Sequence, residues 1–297
     1  MSWATAAHCL PDLFSGSGVR SCVANARAAP WTTECRWRTI MTRSSLPATQ
    51  PAPMWVRQAQ RITTYLTEDL GGGPRPLKMA WAVNTHKVIT GFIIFAMMCH
   101  FDNFSVGAWV YLGLHGIYGY CWLIKDATCR DANFDRRITL AGTAVLYLGL
   151  IAWYWALPYL FISRHIEPGY PLLAACIAVH TLGVVLMVAA DLQKNFILKL
   201  RKGLITDGVF AYTRNPNYLG EIMIYGTYAV LAAHWLGWVV VLWCWLGLFL
   251  PRMLAKDASL SRHPGWEDYK ASSGLLLPSL RIVLAPFKAD AKEGGVC

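Results

Sequence analysis

The sequence predicts an all-α, polytopic membrane protein of about six transmembrane helices with a cytosolic C-terminal tail. Three observations lead there. The 297 residues are 55% hydrophobic and only 15% charged, too apolar for an ordinary soluble domain. The apolar residues after position 87 gather into segments near the roughly 20 residues a spanning helix needs. The formal charge of +10 is not spread evenly but falls in alternate loops between those segments, which is the membrane pattern and not that of a nucleic-acid-binding face.

Candidate spans run over residues 87–101, 106–124, 138–162, 170–190, 218–234 and 236–254. Lys87 precedes the first. Lys125, Arg130, Arg136 and Arg137 separate the second from the third, and Lys194, Lys199, Arg201, Lys202 and Arg214 separate the fourth from the fifth. Arg252, Lys256 and Arg262 end the series. The opposite loops offer only Asp102, then Arg164 with Glu167, then His234. This alternation puts the basic loops and the tail on the cytosolic side. The first and fifth spans are short for a full crossing, which leaves a tilted or partly re-entrant fifth helix open.

Residues 1–78 form a segment of their own. Up to about residue 60 it is rich in Arg, Ser, Ala and Thr and poor in acids, so it reads either as an organelle transit sequence or as an upstream extension, with the working protein starting near Met41, Met54 or Met79. Gly71-Gly-Gly-Pro-Arg-Pro76 reads as a flexible hinge into a membrane domain over 79–280, and 281–297 as a flexible tail. Nine cysteines are scattered without a C-x-x-C pair or a His at metal spacing, so neither a disulfide framework nor a metal site is expected.

Chemistry is expected at three places. Tyr111, His115, Tyr118, Trp122 and Lys125 recur at helical spacing and share one face of the second span. Polar groups in lipid face protein, water or ligand, so His115 and Tyr118 are candidates to meet one. Asp191, Asn195, Lys199 and Lys202 form a second polar ridge where the fourth span leaves the bilayer. The third place is Thr213-Arg-Asn-Pro-Asn-Tyr-Leu-Gly-Glu221, where Asn215 and Pro216 read as an N-cap and first helical residue. Its free amides and positive dipole end, beside Arg214, suit a phosphate, and Glu221 at the bilayer boundary needs a partner or a ligand.

The run Gly208-Val-Phe-Ala-Tyr-Thr-Arg-Asn-Pro-Asn-Tyr-Leu-Gly-Glu221 resembles the C-terminal motif of the steroid 5-alpha-reductase family. Asp191-Leu-Gln-Lys-Asn195 resembles a segment also found in sterol C14-reductases, and the tail from His263 to Pro278 resembles the family's ending; together these cover about residues 180–280. The resemblance implies an NADPH-dependent reduction of a carbon–carbon double bond in a lipid or steroid-like substrate within a helical bundle, with the endoplasmic reticulum as the default location and a plastid or mitochondrial membrane left open by the leader. Carried over by position, Asp191, Arg214, Asn217, Tyr218, Glu221 and Arg252 would hold the nucleotide, with Lys194, Asn195, Lys256 and Tyr269 as further candidates. Tyr118 is the expected proton donor and His115 its neighbour in tuning it. The superfamily's Arg-His-Pro stands here as Arg214-Asn-Pro216, so any role of that His is absent or moved. Isoprenylcysteine carboxyl and phospholipid methyltransferases share the Arg-x-Pro-x-Tyr-x-Gly entrance, so an S-adenosylmethionine-dependent methyltransferase is the alternative, and a non-catalytic lipid-binding relative a second one. The basic loop favours the polyanionic cofactor.

Overall fold

The computed structural model describes residues 50–278, so the expected leader over residues 1–49 and the expected flexible tail over 281–297 lie outside it. A short amphipathic helix, α1 (Met54–Thr64), continues into one π-helical stretch at Tyr65–Asp69. Six apolar helical segments follow, which we label α2 (Met79–His100), α3 (Val106–Thr128), α4 (Leu140–Ser163), α5 (Tyr170–Leu200), α6 (Pro216–Ala232) and α7 (Trp235–Leu260). A last short helix, α8, spans Trp266–Ser272. The only sheet among the described residues pairs Leu77–Lys78 antiparallel with Arg137–Ile138.

Four of the segments, α2, α4, α5 and α7, are long and apolar enough to cross a membrane by length and composition. The other two, α3 and α6, are those loaded with polar side chains. They sit centrally: Tyr111, Tyr118, Ile224 and Tyr228 are fully buried in the shared core with Ile94, Met98, Leu157, Phe161 and Met187 from their neighbours. A helix surrounded by other helices need not present an apolar face to lipid, so it can carry these polar side chains. At 17 residues α6 is roughly 25 Å long, so the expected short fifth segment is a continuous helix.

Side chains at the loop ends set the register of the helices. Ser105 caps α3 by accepting from the Ala108 amide, and Thr139 caps α4 by accepting from Gly142. Asn103 donates to Ile162 O at 2.8 Å, tying the α2–α3 turn to the end of α4. At α6 the proline sits in the first turn as expected, but the Asn215 side chain makes no cap hydrogen bond. Its amide donates instead to Leu275 O at 2.8 Å, so its polarity holds the C-terminal tail and not the helix start.

The tightest helix pair is α5 with α6. A Cβ placed on Gly220 would come within 2.7 Å of the Met187 backbone nitrogen, and one on Gly183 within 2.7 Å of Gly220 O. Neither backbone atom can yield cheaply. Gly220→Val is expected to destabilise the protein by about 1–3 kcal/mol through overpacking. The control is Gly113→Ala on α3, where an added Cβ meets nothing within 4 Å and the melting point should hold or rise.

Two expectations change. The first span begins at Met79, eight residues before its expected start, and Lys87 is therefore not a loop cation but a buried residue two turns inside a helix. The described part of the expected leader and linker, 50–78, is folded: Val56 of α1 is fully buried, and the Thr139 amide and hydroxyl donate to Glu68 O and Leu70 O. Gly71, Gly72 and Gly73 all take positive φ, the conformation a turn needs and L side chains avoid.

Candidate functional site

At the end of the bundle where the basic loops lie, a cavity of about 920 Å³ opens between α2, α3, α4, α5, α6 and α7, with α1 along one side. That volume is near the top of the roughly 300–1,000 Å³ usual for ligand pockets. Met79, Val83, His86 and Lys87 share the face of α2 that lines it, at helical spacing. Leu146, Leu150 and Ile151 of α4 and Leu248 and Phe249 of α7 make its apolar walls. The stretch of α4 that supplies them is π-helical (Val145–Ile151), a form that recurs beside functional sites.

Two carboxylates anchor the polar side. Asp191 pairs with Lys125 at 3.0 Å, and the Lys125 ammonium also lies 3.8 Å from the centre of the Trp122 ring. Trp122 donates to Asn84, which in turn donates to Asp126, which Arg130 meets at 2.9 Å. This chain of contacts fixes the end of α3 against α2. Glu221 lies deeper, within the fields of Lys87, Lys125 and Arg252. Next to it Lys87 donates to the Tyr225 hydroxyl at 2.8 Å and stands 4.1 Å over the Tyr118 ring.

Eight of the ten residues expected to hold a nucleotide meet at this cavity: Asp191, Lys194, Asn195, Asn217, Tyr218, Glu221, Arg252 and Lys256. Lys202, the last member of the expected α5 ridge, lies beyond the helix end at Leu200 and does not line the cavity. Arg214 and Tyr269 do not line it either. Arg214 is buried in a clasp: its guanidinium meets Asp257 at 3.1 Å and donates to Ser273 O, while its amide donates to Gly274 O. Lys256 reaches the same clasp, donating to Arg214 O at 2.6 Å. Tyr269 donates to Phe210 O at 2.9 Å, and burial pushes its pKa up to about 12, so it is a neutral donor that pins the α8 helix.

Tyr118 and His115, the expected catalytic pair, do not line the cavity. The α3 stripe is buried as a whole, but only its Trp122 and Lys125 end reaches the cavity. Farther along, His115 stacks on Tyr228 with ring centres 4.1 Å apart, and Tyr118 meets Tyr225 edge-on at 5.6 Å. The aromatic side chains of α6, Tyr225 and Tyr228, pack directly against Tyr118 and His115. Tyr225 and Lys87 line the cavity in their stead. Neither was singled out for chemistry in the sequence. The available signal was a lysine eight residues inside an apolar helix, together with a tyrosine one turn beyond Glu221.

The donor set fits a phosphate-rich ligand. Eight Lys and Arg line the cavity against four carboxylates. Lys199 and Arg252 make no ion pair among the described residues, and the buried Asn195 Nδ2 has no hydrogen-bond partner there.

The fold and site together define a polytopic helical membrane bundle with a polar, ligand-sized cavity at the basic ends of its helices, and comparison with known proteins adds to this. Residues 135–271 match a family model described as "Protein of unknown function (DUF1295)". Over 82 residues the chain is 46% identical to Steroid 5-alpha-reductase DET2 of Solanum lycopersicum, a match spanning 25% of this chain and 28% of that protein. No solved structure matches. The C-terminal half of the chain, which supplies Asp191, Lys194, Asn195, Asn217, Tyr218, Glu221, Arg252 and Lys256 to the cavity, is thus similar in part to a steroid 5-alpha-reductase, and the chain spans less than a third of that relative's length.

Proposed function

We propose that the protein is a membrane-embedded, NADPH-dependent reductase of a carbon–carbon double bond in a lipid or steroid-like substrate, with the endoplasmic reticulum membrane as its expected site. The observation that carries this reading is the excess of cations around the cavity beside an apolar wall, with Lys87, Lys199, Arg252 and Lys256 in no ion pair among the described residues. A pyrophosphate and a 2'-phosphate use such an excess, whereas the sulfonium and zwitterion of S-adenosylmethionine do not. Lys194, Asn195, Lys199, Asn217, Tyr218 and Arg252 would hold the nucleotide.

When bound, NADPH supplies a hydride to the β carbon of an enone-like substrate. The chain must then provide a proton and stabilise the oxygen on which negative charge develops. Tyr225 is placed for this. Lys87 donates to its hydroxyl, so the phenolic proton is free to point into the cavity. Glu221, one turn earlier on α6, lines the same cavity within the fields of Lys87, Lys125 and Arg252.

The test is ligand-dependent melting of the full chain in detergent at fixed salt, with NADPH, NADH and S-adenosylmethionine titrated in parallel. NADPH should raise the melting point with its concentration and S-adenosylmethionine should not. Arg252→Ala and Lys199→Ala should each weaken NADPH by roughly tenfold, the scale of one lost hydrogen bond to a charged group, without lowering the melting point of the free protein. Stabilisation by S-adenosylmethionine alone would replace this reading with methyl transfer.

A further inference from the structure

We infer that α1 is an interfacial helix whose outer face docks on an anionic lipid surface while its inner face forms part of the cavity wall. The two faces are separated cleanly along Ala52–Leu70. Val56, Gln60, Thr63, Thr67 and Leu70 turn inward at intervals of three or four residues, and Gln60, Thr63 and Thr67 line the cavity. Met54, Trp55, Ile62, Tyr65 and Leu66 turn outward. Trp55 is 50% exposed and Ile62 59% exposed, parts of an apolar strip interrupted by Gln58 that water would not favour.

The surroundings of that strip identify its occupant. Arg57 and Arg61, one turn apart, are exposed along one edge of the strip, with Gln58 between them and no acid on the outer face between residues 54 and 66. A helix with aromatic and aliphatic side chains on one side and flanking arginines lies in the headgroup region, apolar side toward the acyl chains and cations toward phosphate. The position agrees. α1 packs on the basic end of α7, and the Tyr65–Asp69 stretch that continues it packs on the start of α4. Arg136 meets Glu68 at 3.1 Å to hold that end. The helix therefore bridges the ends of two apolar membrane segments, at the depth where headgroups lie. It also ties lipid to the cavity, because three residues of its inner face are cavity wall.

The experiment uses the full chain in nanodiscs of phosphatidylcholine with a minority of phosphatidylglycerol. Benzoylphenylalanine is placed singly at the outward positions Trp55 and Ile62 and at the inward positions Gln60 and Thr63, and the photoproducts are read by mass spectrometry. Lipid adducts are expected at 55 and 62 and not at 60 or 63. Phosphatidylglycerol should be enriched among them by roughly fivefold over its share of the disc, the scale of one basic residue near a charged surface. The R57Q/R61Q double variant, whose substitutions lie on the surface, should keep the lipid adducts and lose the enrichment. Adducts from 55 and 62 to residues 1–49 of the chain would make that segment the occupant and overturn the proposal, as would equal labelling of inward and outward positions. An unenriched lipid pool in the unmodified chain would overturn its anionic part. None of these readouts depends on NADPH, so the outcome is independent of the reductase reading.

Discussion

Tyr225→Phe should lower turnover by roughly 10²- to 10⁴-fold with NADPH affinity unchanged, the range associated with losing a positioned general acid. The substitution deletes one oxygen from a cavity-lining residue that is 2% exposed and whose hydroxyl accepts from Lys87 at 2.8 Å. The ring remains, and with it the stacking on Tyr154 at 4.0 Å, so the packing of α6 should survive. Tyr118→Phe is the informative contrast. Its ring would still sit 4.1 Å under the Lys87 ammonium, and the hydroxyl it loses does not line the cavity, so turnover should change by less than roughly threefold. The measurement is NADPH consumption with a panel of steroid enones, with thermal melting of each variant alongside. Full turnover in Tyr225→Phe combined with collapse in Tyr118→Phe would return the proton to the α3 stripe. Loss in both would mean that the two phenols act together through the shared Lys87.

What the sequence revealed of this molecule follows the physics of each signal. Hydropathy located all six apolar segments because lipid imposes a length, and periodicity identified the buried face of α3 because a polar stripe has a direction. Neither signal reports which neighbour that face meets. Tyr118 and His115 share the stripe with Lys125, yet α6 lies against the first two and the cavity against the last. Lys87 was misread for the opposite reason. A lysine before an apolar run looks like a topological anchor, and only the eight helical residues that precede it, with Tyr225 and Tyr118 around its amine, show it to be buried. In α1 the alternation of inward and outward residues was present in the sequence. It was masked by the basic, Ser- and Ala-rich composition of the segment it ends, which resembles a leader.

Arg214→Ala should cost about 3–5 kcal/mol of stability, the range for removing one partner of a buried ion pair, and should lower the melting point on the order of 10 °C. Asp257 would keep its charge in a half-closed site, and the Ser273 carbonyl would lose its donor. The same clasp holds everything around it: Thr213 Oγ1 donates to Leu276 O at 2.8 Å, Asn215 Nδ2 to Leu275 O at 2.8 Å, and Lys256 to Arg214 O at 2.6 Å. Leu275 and Leu276 lie 60 and 63 residues further along the chain and Lys256 42, so the Arg-Asn-Pro stretch closes the end of α7 and the tail onto the start of α6. Arg214→Lys should recover only part of the loss, since an ammonium cannot reach Asp257 and the tail carbonyls with one planar group. The decisive comparison is with the nucleotide. A ligand contact would lose NADPH affinity while the free protein melts as before, whereas a clasp loses melting temperature and leaves the affinity of the folded fraction intact. The first result would restore Arg214 to the phosphate site that its place beside the helix entrance suggests. The second follows from its burial, and from the fact that its donors point at Asp257 and the tail, away from the cavity that Asn217, Tyr218 and Glu221 face.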